Sequence, residues 1–292
     1  MANLKELQES IQLGESLKLL ASANTDIAAR KIKKVRTDVE QIRSFFTPLS
    51  ELYHSVKSVA QDKYQVKLPK NGKTLSILIT SNYRFYGSLI TDLVGYFTKE
   101  SQNLPGDELV IGRTGVTQLE SQKYSKKFQP LIFDADIPDK SEIDTLSSYI
   151  ANYETILVFY SRFETILSQR PVSKDITETV KSSSEKLHQP GILDFMFGNI
   201  KAEKTSDFIF EPEVIEILSY FDSQVLKLLL EEIFLESELA RIGARLVVMD
   251  QAQYNADAFL QNQRGKYRVE LRQAQNKHLL ESFLANRSLI AA

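Results

Sequence analysis

The chain has 292 residues, 42% of them hydrophobic and 25% charged, a balance that supports a packed core and excludes wholesale disorder. Lys and Arg total 36 against 38 Asp and Glu, and the resulting net charge of −2 argues against a general nucleic-acid binder. With no Cys, disulfides, thiolate nucleophiles, zinc fingers, cysteine-ligated iron–sulfur clusters and thiol control are all excluded. Only 11 Gly and 8 Pro are present, where average usage gives roughly 20 and 15, so long regular elements are favoured over tight turns.

The first residues, Met1-Ala2-Asn3-Leu4-Lys5-Glu6, lack the apolar stretch of a signal peptide and carry an acid that transit peptides avoid. No window approaches the roughly 18 apolar residues of a membrane span. The expectation is a cytoplasmic chain, bacterial in the simplest case, with no direct membrane insertion.

Residues 4 to 60 read as one long helix. Val35, Val39, Ile42, Phe46, Leu49, Tyr53 and Val56 alternate steps of four and three, a heptad seam. Upstream, Leu13, Leu17, Leu20, Asn24 and Ile27 repeat the alternation in a shifted phase. Pro48 lies inside the run and removes one backbone donor, which predicts a local kink.

Between about 74 and 200 the period changes. Leu75–Thr80, Glu108–Gly112 and Thr155–Tyr160 are short buried strands, with helical stretches at Ser88–Lys99 and Ser141–Tyr153. Strands alternating with helices imply βαβ units and a mostly parallel, Rossmann-like sheet. Residues 181–206, with Ser182-Ser183-Ser184 and Pro190-Gly191, read as a surface loop or hairpin.

Residues 213–292 contain no Pro, and Glu211-Pro212-Glu213 makes a good helix start. Leu235, Leu239, Ile242, Leu246, Met249, Gln253, Ala256, Leu260, Gln263 and Tyr267 form a second seam. One unbroken helix here would be about 120 Å long, so part of it must project or lie along another long helix, and a break is expected within Tyr220–Ser223. The chain therefore divides into an N-terminal coiled-coil helix (1–62), an α/β domain (63–210) and a C-terminal coiled-coil helix (211–292). The fold class is α/β with its two terminal helices paired as a long antiparallel coiled coil.

Catalytic signals are weak. His54, His188 and His278 stand alone without metal-ligand spacing. Gly72-Lys73-Thr74 imitates the end of a phosphate loop, but Lys67 stands where the first glycine belongs, so Asn71-Gly72 reads as a turn. Gly112-Arg113-Thr114-Gly115 lacks the third glycine of a dinucleotide site, and Asp134, Asp136 and Asp139 read as a solvated turn rather than a cation site. No cofactor and no metal are expected.

Charge is locally ordered. Arg30, Lys31, Lys33, Lys34 and Arg36 band the first helix, and Arg241, Arg245, Arg264, Lys266, Arg268, Arg272 and Lys277 punctuate the last. Positives concentrated on helices of a slightly negative chain point to an acidic protein partner.

Six separated stretches, in order, resemble the gamma subunit of rotary F-type ATP synthases. They are Ala2-Asn3-Leu4-Lys5-Glu6 and Ile27–Lys34, then Ile79-Thr80-Ser81-Asn82 with Phe85, Gly87 and Leu89. Val158–Phe163 through Gln169–Val172 follows, then Phe210-Glu211-Pro212, and finally Ala244–Asp250 with Ala252, Asn255-Ala256 and Arg272-Gln273-Ala274. The chain departs from the family pattern at Asn24 and Asp26, where methionines are usual, and at Arg241, where Glu is usual. Asn276-Lys277-His278-Leu279 and the shortened turn Tyr86-Gly87-Ser88 depart as well.

The resemblance implies a non-catalytic central-stalk rotor. Its coiled coil would turn inside a hexamer of alpha and beta subunits, and its base would sit with the epsilon subunit on the membrane c-ring. It implies that Arg272 and Gln273 catch a loop of the catalytic subunit, with Arg30, Lys31, Lys33, Lys34 and Arg245 as further contacts to acidic loops. The same residues leave open a coiled-coil adaptor derived from gamma in a non-standard F-type machine, and a small-ligand enzyme built on the α/β domain.

Overall fold

In the computed structural model the described residues are 2–63, 71–102, 104–177 and 214–290. Helix α1 runs Ala2–Lys63, and strand β1 covers Thr74–Ile79. Then come α2 (Leu89–Ser101), β2 (Asp107–Ile111), α3 (Arg113–Ser121), β3 (Gln129–Leu131), α4 (Lys140–Ile150), β4 (Thr155–Phe163) and β5 (Gln169–Asp175). Helix α5 spans Val214–Ile290. The proposed loop at 181–206, with His188, and the Phe210-Glu211-Pro212 helix start lie outside the described residues.

The sheet has the order β3-β2-β1-β4-β5, with β1 to β4 parallel and β5 antiparallel on the edge. Pro171 is tolerated in β5 because an edge strand can spare a donor. β1 and β2 are near-continuous apolar runs because both faces of the sheet are covered. Leu75, Ile77 and Ile79 face a core closed by Leu146 and Ile150 of α4 and by Val225, Leu229, Ile233 and Phe234 of α5. Leu78 and Val110 point the other way, against Leu93, Val94 and Phe97 of α2 and Leu119 of α3, where Phe97 meets Phe159 edge-on at 5.1 Å.

Two expectations about the long helices are corrected. No break occurs at Tyr220–Ser223: α5 is continuous there, since a run without Pro or Gly keeps every backbone donor and has no reason to leave the helical ladder. The upstream phase of the α1 seam was also wrong. Leu13, Leu17, Leu20 and Ile27 are exposed, Leu13 at 61%, whereas Gly14, Ala21, Ala28 and Val35 are buried at seven-residue intervals. The seam keeps one phase, and small residues rather than large ones mark it. The helix runs through Pro48 without ending.

The described residues form two compact units, Met1–Ala29 with Leu246–Ala292, and Arg30–Arg245. In the first, the two helical segments are antiparallel. Gln253 Nε2 donates to Thr25 Oγ1 at 2.9 Å, Lys18 Nζ to Asp257 at 2.6 Å, and Arg264 to Glu15 at 2.6 Å. A Cβ on Gly14 would lie 2.9 Å from Leu260 Cδ2, so glycine there lets the backbones approach closely. Of the predicted α5 seam, Met249 and Leu260 are buried and Leu246, Gln253, Ala256, Gln263 and Tyr267 half-buried. Toward the end of α5, Leu279, Leu280, Phe283 and Leu284 are exposed. No helix among the described residues is long and apolar enough to cross a membrane.

Candidate functional site

The carboxyl ends of parallel strands are where α/β proteins hold ligands. Here that edge is filled by the chain itself. Gly112 caps α3 at φ +98, and a Cβ on it would lie 2.7 Å from Thr80 Oγ1 and 2.8 Å from Ser81 N. A Cβ on Gly115 would lie 2.6 Å from Thr80 Cγ2. The amides that open α3 are consumed internally: Arg113 N donates to Asn82 Oδ1, Thr114 N to Ser81 O and Gly115 N to Thr80 Oγ1. An anion needs such amides free. The remaining cavity, lined by Thr80, Asn82, Gly112, Phe133 and Asp136 among others, holds about 10 Å³, room for one water. The Gly-x-x-Gly stretch is thus a close-packing device.

Arg241 belongs to this plug. It is not part of a solvated basic face: its side chain is 1% accessible. Its Nη1 donates to Thr80 O at 3.0 Å and to Ser237 Oγ at 2.8 Å, its Nη2 lies 2.8 Å from Glu238, and its Nε lies 3.8 Å from Asp136. Asp136 is correspondingly not a solvated turn residue; it accepts from Asn82 N at 2.6 Å and from the Tyr86 hydroxyl at 3.1 Å. Asp139 instead caps α4 in a capping box with Glu142. Burial tends to raise the Glu238 carboxyl, but Arg241 and Lys31 outweigh it and hold the group below the usual glutamate range. Burial and the neighbouring Asp136 drive the Tyr86 hydroxyl well above its ordinary value, so it stays a neutral donor. The Glu238/Arg241 pair at i,i+3, flanking Leu239 of the apolar seam Leu235, Leu239 and Ile242, was the available signal for a buried ion pair.

The predicted contact residues fall into two groups. Arg30, Lys33, Lys34, Arg272 and Gln273 are exposed on α1 and α5. Lys31 and Arg245 are engaged within the chain: Lys31 Nζ lies 2.5 Å from Glu238, while Arg245 donates to the Tyr86 hydroxyl at 2.7 Å and stacks 4.6 Å above its ring. His278 is exposed on α5, and His54 lies in α1.

In the loop after β1, which holds Phe85 and the shortened turn Tyr86-Gly87-Ser88, Tyr83 and Phe85 stand exposed and Phe85 has φ +73.

These features define a class of protein: chain ends paired as antiparallel helices and, between them in sequence, an α/β sheet whose ligand edge is filled by its own side chains. The profile of the ATP synthase family matches residues 3–278, and the chain belongs to that family. An ATP synthase gamma chain from Syntrophus aciditrophicus (strain SB) is 23% identical over 278 residues, 89% of each chain, and one from Staphylococcus aureus (strain JH9) is 21% identical over 276 residues, 88% of each. Among solved structures, a chain of the Tetrahymena thermophila mitochondrial ATP synthase central stalk and c-ring shares the fold with a TM-score of 0.55 and 18% identity, covering 80% of this chain and 99% of that one. A chain of the Euglena gracilis mitochondrial ATP synthase does so with a TM-score of 0.52 and 14% identity, covering 92% and 96%.

Proposed function

We propose that this chain is the gamma-type rotor of an F-type ATP synthase, turning within a ring of alpha and beta subunits and coupled through its base, with an epsilon subunit, to the membrane c-ring. The observation that carries the reading is the antiparallel pairing of residues from the two chain ends, Thr25 with Gln253 and Glu15 with Arg264, in a chain matched by the family along its length. Two helices bound along a seam resist twisting better than one. Their unlike faces offer each surrounding subunit a different surface, and only differential contact can shift a subunit between open and closed states.

The chain performs no bond chemistry in this reading; ATP is made or split on the surrounding subunits, at the cytoplasmic face of the membrane. Arg272 and Gln273, exposed on α5, are assigned to the catalytic-subunit loop. Arg30, Lys33 and Lys34 are assigned to acidic loops, whereas Lys31 and Arg245 serve first to hold α1 to Glu238 and α5 to Tyr86.

Arg272→Ala with Gln273→Ala is expected to lower ATPase turnover of the assembled complex about tenfold, the size of effect set by losing an arginine anchor, with the thermal midpoint of the chain unchanged. Steady-state turnover of a complex shown to be fully assembled checks this, and unaltered turnover would remove the assignment.

A further inference from the structure

A cavity of about 190 Å³ opens between helices α1, α4 and α5 within the unit Arg30–Arg245. Ile42 of α1, Pro138 and Ile143 at the start of α4, and Phe234 of α5 give it apolar walls. Those walls are fixed. Phe234 and Ile143 are buried, and Phe234 meets Phe133 edge-on at 6.0 Å. Pro138 is buried ahead of the capping box of Asp139 and Glu142, which pins the first turn of α4. A preformed apolar hollow of about 150 Å³ takes up benzene, so this one has room for one small ring with a short substituent.

Two charged side chains share the lining, Glu231 of α5 and Lys140 of α4. Glu231 is half-buried and makes no hydrogen bond or ion pair with the described residues. Burial pushes its carboxyl above the usual glutamate range, with Asp144 adding to the rise and Lys140 opposing it. Asp144 is itself answered by Lys227 at 2.7 Å. Lys140 is exposed, so water screens its charge, and it makes no ion pair with the described residues. The N-terminal dipole of α4, which would otherwise favour an anion, is met by Asp139 and Glu142. What the hollow lacks is a cation beside Glu231, carried on an apolar body that covers the walls.

We propose that this cavity binds a small molecule made of one aromatic ring and a protonated amine, the ring packed between Ile42, Ile143 and Phe234 and the amine on the Glu231 carboxylate. The site does not depend on the rotor reading, since all its residues lie on this chain. A ligand held only by the folded chain ties α1, α4 and α5 together and stabilises it.

The test titrates the full chain with benzylamine and follows the heat of binding and the thermal midpoint. One saturable site is expected, with a midpoint that rises with ligand concentration. Benzyl alcohol, which keeps the ring and loses the charge, should bind at least tenfold more weakly. Glu231→Gln should erase that tenfold preference while the midpoint of the free chain holds or rises, because a half-buried carboxyl without a partner is removed. Ile42→Phe fills the hollow from α1 and should abolish binding of both compounds. No saturable binding of benzylamine, an undiminished preference in Glu231→Gln, or binding that survives Ile42→Phe would overturn the proposal. Benzoate binding more tightly than benzylamine would overturn it too, since Lys140 would then be the deciding charge. If Ile42→Phe unfolds the chain, the Glu231→Gln comparison decides by itself.

Discussion

Arg241→Met is expected to destabilise the chain by about 3–5 kcal/mol, because it leaves charges buried without their counter-charge. The Glu238 and Asp136 side chains are 2% and 4% accessible, and of the cations facing them only Lys31 would still pair directly with Glu238. Urea unfolding at neutral pH measures the loss. The pH dependence gives a second check with a definite sign. In the folded chain the Glu238 carboxyl lies below its ordinary range, so its contribution is present above the pKa of an unfolded glutamate and is lost as pH falls through the folded value. In the variant Glu238 keeps only Lys31 as a direct partner, and protonating it relieves part of the cost. The stability gap between the two proteins should therefore narrow as pH falls from 7 below 4. A gap under about 1 kcal/mol at neutral pH, or one that ignores pH, would show that the ions are not coupled as described.

Gly112→Ala is expected to cost about 2–5 kcal/mol, the sum of a strained φ and an overpacked strand end. The backbone there has φ +98, and Thr80, which the new methyl would strike, has no freedom to move. Its hydroxyl donates to Ile111 O at 2.7 Å and accepts from Gly115 N at 3.1 Å. Thermal unfolding checks the prediction. A variant that keeps its stability but loses binding to an added nucleotide would mean the glycine cradles a phosphate, and the plugged-edge account would fail.

How much of this was legible in the sequence depended on what marked each position. The α5 seam was readable because Leu235, Leu239, Ile242, Met249 and Leu260 are large, apolar and buried. The upstream α1 seam was misread because hydrophobicity ranks leucine above glycine. Where two backbones come close, Gly14, Ala21 and Ala28 carry the contact, and the leucines are left facing outward. β1, β2 and β4 stood out as unbroken apolar runs. β3 has three residues, and β5 is a polar edge strand, so neither carries a period strong enough to find. The basic residues read as one outward face were in fact divided. Arg241 is buried, Lys31 and Arg245 are paired, Arg264 is exposed but paired with Glu15, and Arg30, Lys33, Lys34, Arg36, Lys266, Arg268, Arg272 and Lys277 stand exposed. A charge in sequence announces its need for a partner without saying whether the partner lies inside the chain.

The assignment of a turning role is tested most directly by watching the chain turn. With no native cysteine, one introduced on an exposed face of the α/β domain can carry a single bead or rod, while the complex with alpha and beta subunits is fixed to a surface. On addition of ATP the account predicts repeated rotation in one direction, with one copy of this chain per three catalytic subunits. A complex that hydrolyses ATP while the labelled chain stays fixed would contradict it.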